Sequence, residues 1–275
     1  MLTNRNYKNE MTYNWSEKNS RANIAKKHTK NMAAEYFEEI KGCIENSVIY
    51  TGLSDIVPVA GSYDTKISVI GTDSVSAVIS MGVKHPNEIN AVLNFASYKN
   101  PGGMFINGSR AQEECLCHES FLYNVLNSEK LIKEFYEPNR KKLNKALYTD
   151  RAIYTPDVLF TSKGYKVTCG VITCAAPNKA AAQTYQGVSN ETNKKTLESR
   201  IEMVLYVAAK NKVDNLILGA FGSGVFGQDG KEVAQIFKDL LLGKYKGIFK
   251  EINFAILPDG NENLNAFQEV FADGK

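Results

Sequence analysis

Short apolar runs alternate with longer stretches of helical periodicity along this chain, and that alternation limits the fold more than any other feature. Runs at 47–50, 66–70, 89–96, 158–161, 171–175, 215–218 and 252–257 read as strands. Stretches at 20–41, 73–81, 110–126, 192–210, 231–242 and 264–271 read as helices, with Asp73 placed to cap the second. Strands separated by helices imply a parallel or mixed sheet covered on both faces. The charged segment 129–150 reads as an insertion or a pair of small helices, and residues 1–20 as a loose polar arm.

The charge balance removes several classes of function. The chain has 33 basic and 30 acidic residues, a net charge of +3, so no clustered basic face and no direct nucleic-acid binding is expected. No apolar run is long enough for a membrane helix, and the polar N-terminus lacks the core of a secretory signal. The five cysteines, Cys43, Cys115, Cys117, Cys169 and Cys174, are odd in number and sparse, which suits reduced thiols in the cytoplasm. Cys115, Cys117 and His118 invite a zinc site, but no second ligand pair follows and no metal is expected.

Two strand-to-helix connections are rich in glycine. The first reads LNFASYKNPGGMFINGSRAQEECLCHE from Leu93. Gly102, Gly103 and Gly108 let backbone N–H groups come close to a ligand, and loops at strand C-terminal ends hold phosphates in open α/β folds. A plainer alternative is that Ser109 and Gln112 form a capping box, with Glu113 and Glu114 serving only the helix dipole.

The second connection reads NLILGAFGSGVFGQDG from Asn215. Gly222-Ser223-Gly224-Val225-Phe226-Gly227 spells the glycine pattern of a dinucleotide site. It lies late in the chain, however, and no acidic residue follows at the tip of a next strand to meet a ribose. A third strand end, 174–178, carries Pro177 to stop the strand and Asn178, either a turn residue or a ligand donor.

The first loop resembles the signature of microbial-type poly(ADP-ribose) glycohydrolases, in which a glycine triplet, a spacer and QEE form the catalytic loop of a macrodomain. Gly102, Gly103 and Met104 stand at the triplet, with Met104 replacing the third glycine, and Gln112-Glu113-Glu114 follow after the spacer. The second loop resembles the family's diphosphate loop, and 21–29 its N-terminal helix. The resemblance implies a three-layer α/β/α macrodomain with a mixed, mostly parallel sheet, occupying 46–275 behind an N-terminal arm and helical extension at 1–45.

The resemblance further implies hydrolysis of ribose–ribose bonds in poly(ADP-ribose), releasing ADP-ribose, with no cofactor. Glu114 would be the general acid and base, and Glu113 would fix ribose hydroxyls. Asn94, Gly102, Gly103, Met104 and Gln112 would line the ribose side, and Gly222, Ser223, Gly224, Val225, Phe226 and Gly227 the diphosphate side. The partner would be ADP-ribose polymer on modified proteins, met by a monomer. Two alternatives stay open at this level: a macrodomain that binds ADP-ribose without turnover, and a hydrolase of single ADP-ribosyl groups.

Overall fold

The computed structural model describes residues 15–53, 61–258, 260 and 262–272, so the first fourteen residues of the expected arm lie outside the described part. Strands β1 (Val48–Tyr50), β2 (Lys66–Ile70), β3 (Asn90–Phe95), β4 (Ala152–Ser162), β5 (Tyr165–Cys174), β6 (Asn215–Leu218) and β7 (Glu251–Ala255) form one sheet. Its order is β1-β4-β5-β3-β6-β7-β2. From β5 through β2 all neighbours run parallel, while β1, β4 and β5 pair antiparallel.

Helices α1 (Trp15–Glu35), α2 (Phe37–Asn46), α3 (Ser74–Lys84), α4 (Gln112–His118), α5 (Leu122–Leu126), α6 (Glu129–Leu131), α7 (Glu137–Lys141), α8 (Lys179–Gln186), α9 (Asn190–Lys210), α10 (Gly230–Leu242) and α11 (Asn263–Ala272) complete the fold. The parallel strands alternate their side chains between two cores, as the two-residue period of a strand requires. Ala91, Leu93, Ile172, Leu216, Leu218, Ile252 and Phe254 pack with α9, α10 and α11. Val92, Val171, Ile217 and Ala255 pack with α1 to α5 on the other face. This is the three-layer α/β/α arrangement, with a mixed and mostly parallel sheet, that the resemblance implied.

The differences from expectation have local causes. Residues 15–20 are helical and open α1. The expected helix at 20–41 breaks at Tyr36, whose φ of −124° and ψ of 39° are not helical. The expected helix at 110–126 is two helices, because the Ser120 hydroxyl donates to Leu116 O, accepts from Leu122 N and competes with the helical ladder. The Thr161 amide donates to Glu119 O at the same break and ties it to β4.

Strands β4 and β5 form a hairpin far longer than the two short runs suggested. Its turn uses Lys163 and Gly164, both at positive φ, the twist that two-residue hairpins favour. The register shifts between Thr155 and Val158, so Pro156 and Asp157 form a bulge that hides the upstream half of the strand from pattern reading. Segment 129–150 folds as α6, a π-turn at Ile132–Tyr136 and α7, followed by a short turn at Asn144–Ala146.

Candidate active site

Strand β3 lies between β5 and β6, and all three run parallel. The connections after Phe95, Cys174 and Leu218 therefore leave the sheet on one edge, where open α/β folds bind ligands. The two glycine loops meet there. Phe95, at the end of β3, lies 5.7 Å from Phe221 by ring centroids. Tyr98 of the first loop stacks on Tyr148 at 4.2 Å, and Tyr148 contacts Phe226 of the second at 6.1 Å.

The first loop is built around the two glutamates. Glu114 is 6% exposed; its Oε1 accepts from the Met104 amide at 2.9 Å and its Oε2 from the Ala111 amide at 2.8 Å. Each oxygen keeps a second lone pair, so the group is oriented without being used up. Glu113 is 3% exposed; its Oε2 accepts from the Ser97 amide at 2.7 Å and its Oε1 from Asn94 Nδ2 at 3.2 Å. Burial pushes the Glu113 carboxyl from 4.5 up to about 8, the Ser97 and Asn94 bonds oppose that, and the Glu114 charge adds to it.

Two glycines make this packing possible. Gly103 has φ +60°, and a Cβ there would sit 2.6 Å from Glu114 Oε1 and 3.0 Å from Glu113 Oε2. Gly102 shares that φ, and a Cβ there would meet the Tyr123 ring at 2.7 Å. Met104, in contrast, has φ −114° and is 44% exposed. Its backbone amide reaches Glu114 without needing the left-handed region, so this position of the triplet does not depend on glycine.

Helix α1 clamps the far end of the loop. Arg21 Nε donates to Gly108 O at 2.9 Å. Gly108 has φ +80°, and a Cβ there would lie 2.2 Å from Lys18 O. Phe105, fully buried, packs edge-on against His118 at 4.6 Å and His28 at 6.3 Å. Burial, and secondarily the neighbouring His28, holds the His118 imidazole below its usual range.

The second loop is open. Val225 is 90% exposed, and a Cβ at Gly224 would meet nothing within 4 Å. Gly222 and Gly227 take positive φ, and a Cβ at Gly222 would meet Ala176 Cβ at 2.7 Å. The Ser223 hydroxyl oxygen is buried without a hydrogen-bond partner. Gln228 anchors the base of the loop, donating to Pro177 O at 2.8 Å and exchanging bonds with Asn193.

Three expectations change. Ser109 and Gln112 do not form a capping box: α4 starts at Gln112 with Ala111 as its N-cap, and Glu114 closes the turn. The Gln112 amide accepts from Phe95 N and donates to Leu93 O and Ser74 Oγ, so it braces the end of β3 where a ligand contact was expected. Asn94 is fully buried and holds Glu113, so its expected ligand contact becomes a brace as well. Asn178, whose role was left between turn and donor, caps α8 by accepting from Ala181 N.

Sequence reading missed Ser97, whose backbone amide holds Glu113, and the Tyr98–Tyr148 stack that links the loops. Tyr98 follows directly on the NFAS strand end, which is the signal that marks it. Tyr148 also lines a groove of about 460 Å³ with Asp150, Thr192 and Ser199, which does not reach the glutamates. Among the described residues no group of three or more His, Cys, Asp or Glu could hold a metal, and no helix is long and apolar enough to cross a membrane.

The family model described as microbial-type PARG, catalytic domain, matches residues 16–163. The poly(ADP-ribose) glycohydrolase of Deinococcus radiodurans, solved with ADP-ribose, is 32% identical with a TM-score of 0.78, covering 86% of this chain and 98% of its own. The enzyme from Thermomonospora curvata with the inhibitor ADP-HPD is 26% identical at a TM-score of 0.78, covering 91% and 99%. A second structure of the Thermomonospora curvata enzyme is 27% identical at 0.79, covering 92% and 100%. The comparison with curated proteins gives no match. On the family model and the Deinococcus relative together, this chain belongs to the microbial-type poly(ADP-ribose) glycohydrolase family.

Proposed function

We propose that the protein hydrolyses the ribose–ribose bonds of poly(ADP-ribose) and releases ADP-ribose, with Glu114 as general acid and base. The observation that carries this reading is the pair of buried carboxylates aimed by backbone amides at the sheet edge, beside an open glycine loop. Breaking the bond passes through an oxocarbenium-like state, so one carboxyl must protonate the departing oxygen and then take a proton from the attacking water. Glu114 suits that work because two main-chain donors fix its direction. A positioned acid or base of this kind supplies roughly 10²–10⁴-fold in rate.

Glu113 supplies the second carboxyl, bonding ribose hydroxyls and fixing the sugar against Glu114. The exposed backbone at Gly224 and Val225 offers amides to a diphosphate, and Phe226 packs against the ribose next to it. The polymer on modified proteins is the partner, met by a monomer, and a reducing compartment fits five cysteines that are all free.

The test is turnover of poly(ADP-ribose) by the protein and by Glu114→Ala, followed as released ADP-ribose. Alanine is preferred to glutamine, because a glutamine amide would turn an N–H towards the Met104 or Ala111 N–H and distort the loop. Release by the parent and a loss of at least about 100-fold in the variant support the reading. Tight ADP-ribose binding without release would leave a binding module, and release only from singly modified protein would leave a mono-ADP-ribosyl hydrolase.

A further inference from the structure

The net charge of +3 conceals one basic run beside the site. Residues 138–149 carry Arg140, Lys141, Lys142 and Lys145 and no acidic residue. All four are exposed, as is Lys99 in the first loop. Lys99, Lys141, Lys142 and Lys145 form no ion pair among the described residues. Lysines on a solvated face are ordinary. These differ in the way the main chain beneath them is fixed.

The run is tied to the first loop at three points. Asn139 Nδ2 donates to Tyr98 O at 3.0 Å, the Tyr98 hydroxyl donates to Lys142 O at 3.0 Å, and Arg140 Nε donates to Lys99 O at 2.9 Å. Tyr98 and Lys99 directly follow Ser97, whose amide holds Glu113. The chain then passes through Asn144, Lys145 and Ala146 at φ +44°, +52° and +66°, with Tyr148 at +64°. None of the four is glycine, so each resists that conformation. Asn144 Nδ2 pins the turn to Tyr148 O at 2.8 Å, and the Asn178 amide pins Ala146 O at 3.0 Å. Strain that the surroundings enforce in this way points to a use for the shape it maintains.

That shape is one bank of the groove of about 460 Å³, formed by Asn144, Tyr148 and Thr149 opposite Thr192, Thr196 and Ser199 of α9. The volume lies in the range of small-ligand sites, and hydroxyls and an amide around one aromatic ring suit a nucleoside. Asp150, the acid lining the groove, is already paired with Arg200 at 2.9 Å. Tyr148 belongs to the groove and to the site alike, since its ring stacks on Tyr98 and contacts Phe226. A surface with a nucleoside-sized groove beside unpaired lysines complements a chain that repeats nucleoside and diphosphate.

We propose that this surface is a subsite for the polymer unit next to the one being released. The nucleoside of that unit lies in the groove, and its diphosphate lies on Lys141, Lys142 and Lys145. This rests on poly(ADP-ribose) being the substrate, as read above. Contacts of this kind, distant from the bond that breaks, lower KM and leave kcat unchanged.

Binding is measured with the full chain carrying Glu114→Ala, so that polymer persists through the titration. Adding Lys141→Gln, Lys142→Gln and Lys145→Gln together is expected to raise the polymer Kd about tenfold or more. The dependence of log Kd on log salt should flatten by about 2, as three lost phosphate contacts on a single strand would give. Thr196→Trp, which fills the groove from α9, should also weaken polymer binding. Both changes should leave the Kd for ADP-ribose within about twofold, since one unit fills only the site. With Glu114 intact, the lysine variant should raise KM for polymer and keep kcat within a few fold. Lys66→Gln, Lys210→Gln and Lys246→Gln remove the same charge from exposed positions near the opposite edge, where β2, β6 and β7 begin, and should change little.

Equal losses in the two lysine variants would mean that net charge alone acts, and would overturn the subsite. So would unchanged polymer affinity in Thr196→Trp, or polymer bound no more tightly than ADP-ribose before any change to the subsite. Single-stranded DNA that competes as well as polymer of equal charge would make this a general polyanion surface, which also overturns it. If the parent releases no ADP-ribose, the glycohydrolase reading fails by itself, and the binding comparison still decides on the subsite.

Discussion

The two glycine loops leave the same edge of the sheet but are built in opposite ways. In the first, glycine is needed because protein atoms already fill the space a side chain would take: carboxylate oxygens at Gly103, a tyrosine ring at Gly102, a helix carbonyl at Gly108. In the second, the tip at Gly224 and Val225 faces open space, and only its base is packed. One loop is shaped by what the protein places against it. The other leaves its main chain free for something from outside. A catalytic group needs the first design, because its direction decides the rate. A diphosphate cradle needs the second, because the amides must reach the ligand.

Substitutions can break this contrast, and the largest effect is expected at Gly103. Gly103→Ala puts a methyl 2.6 Å from Glu114 Oε1 at a φ of +60°, so the Glu114 carboxylate must move. Turnover of poly(ADP-ribose) should fall by about 10²–10⁴-fold, the contribution of a positioned acid. A fall of less than about tenfold would mean that the loop is as yielding as the second one.

Gly108→Ala comes next and reads out in stability. The clash with Lys18 O and the positive φ should together cost about 2–4 kcal/mol in denaturant unfolding. An unchanged midpoint would show that α1 does not hold the loop. The weaker form of the same test is Arg21→Ala, which removes one bond to Gly108 O and should cost about 1 kcal/mol.

A pH experiment sharpens the contrast, because the buried carboxyls both belong to the first loop. Glu113 keeps its proton up to about 8 in the folded protein and loses it near 4.5 when unfolded. The folded state thus holds more protons between those values, and the stability due to this group is full below 4.5 and lost as pH rises to about 8. Glu113→Ala, which removes the titrating group without turning an N–H towards Ser97 N or Asn94 Nδ2, should flatten that part of the stability curve. An unaltered slope would place the titrating group elsewhere.

The smallest effect on stability is expected at Gly224→Ala, within about 0.5 kcal/mol, since the new methyl meets nothing. Gly222→Ala, two residues earlier, should be clearly destabilising through its contact with Ala176. Equal effects at both positions would remove the distinction between the base and the tip of the loop.

Much of this was legible before any coordinates. Strand β6 and the cap at Asp73 fall where periodicity and capping chemistry put them, because both are local signals. Both glycine loops were visible as composition. What stayed hidden depends on partners distant in sequence. Nothing near Gln112 says that its amide will bind the backbone of β3, and nothing near Arg21 says that it will meet Gly108. The pairing of β4 with β5 was half visible, because Pro156 and Asp157 interrupt the alternation at the bulge.

Met104 has a practical consequence. The Glu114 carboxylate is held there by main chain alone, at a φ that any L-amino acid adopts, while the Met104 side chain stands half in solvent. Position 104 can therefore accept an unnatural photoreactive or fluorescent residue with its amide unmoved. A probe attached there would sit beside the Glu114 carboxylate and could record a ligand arriving at that edge of the sheet in real time.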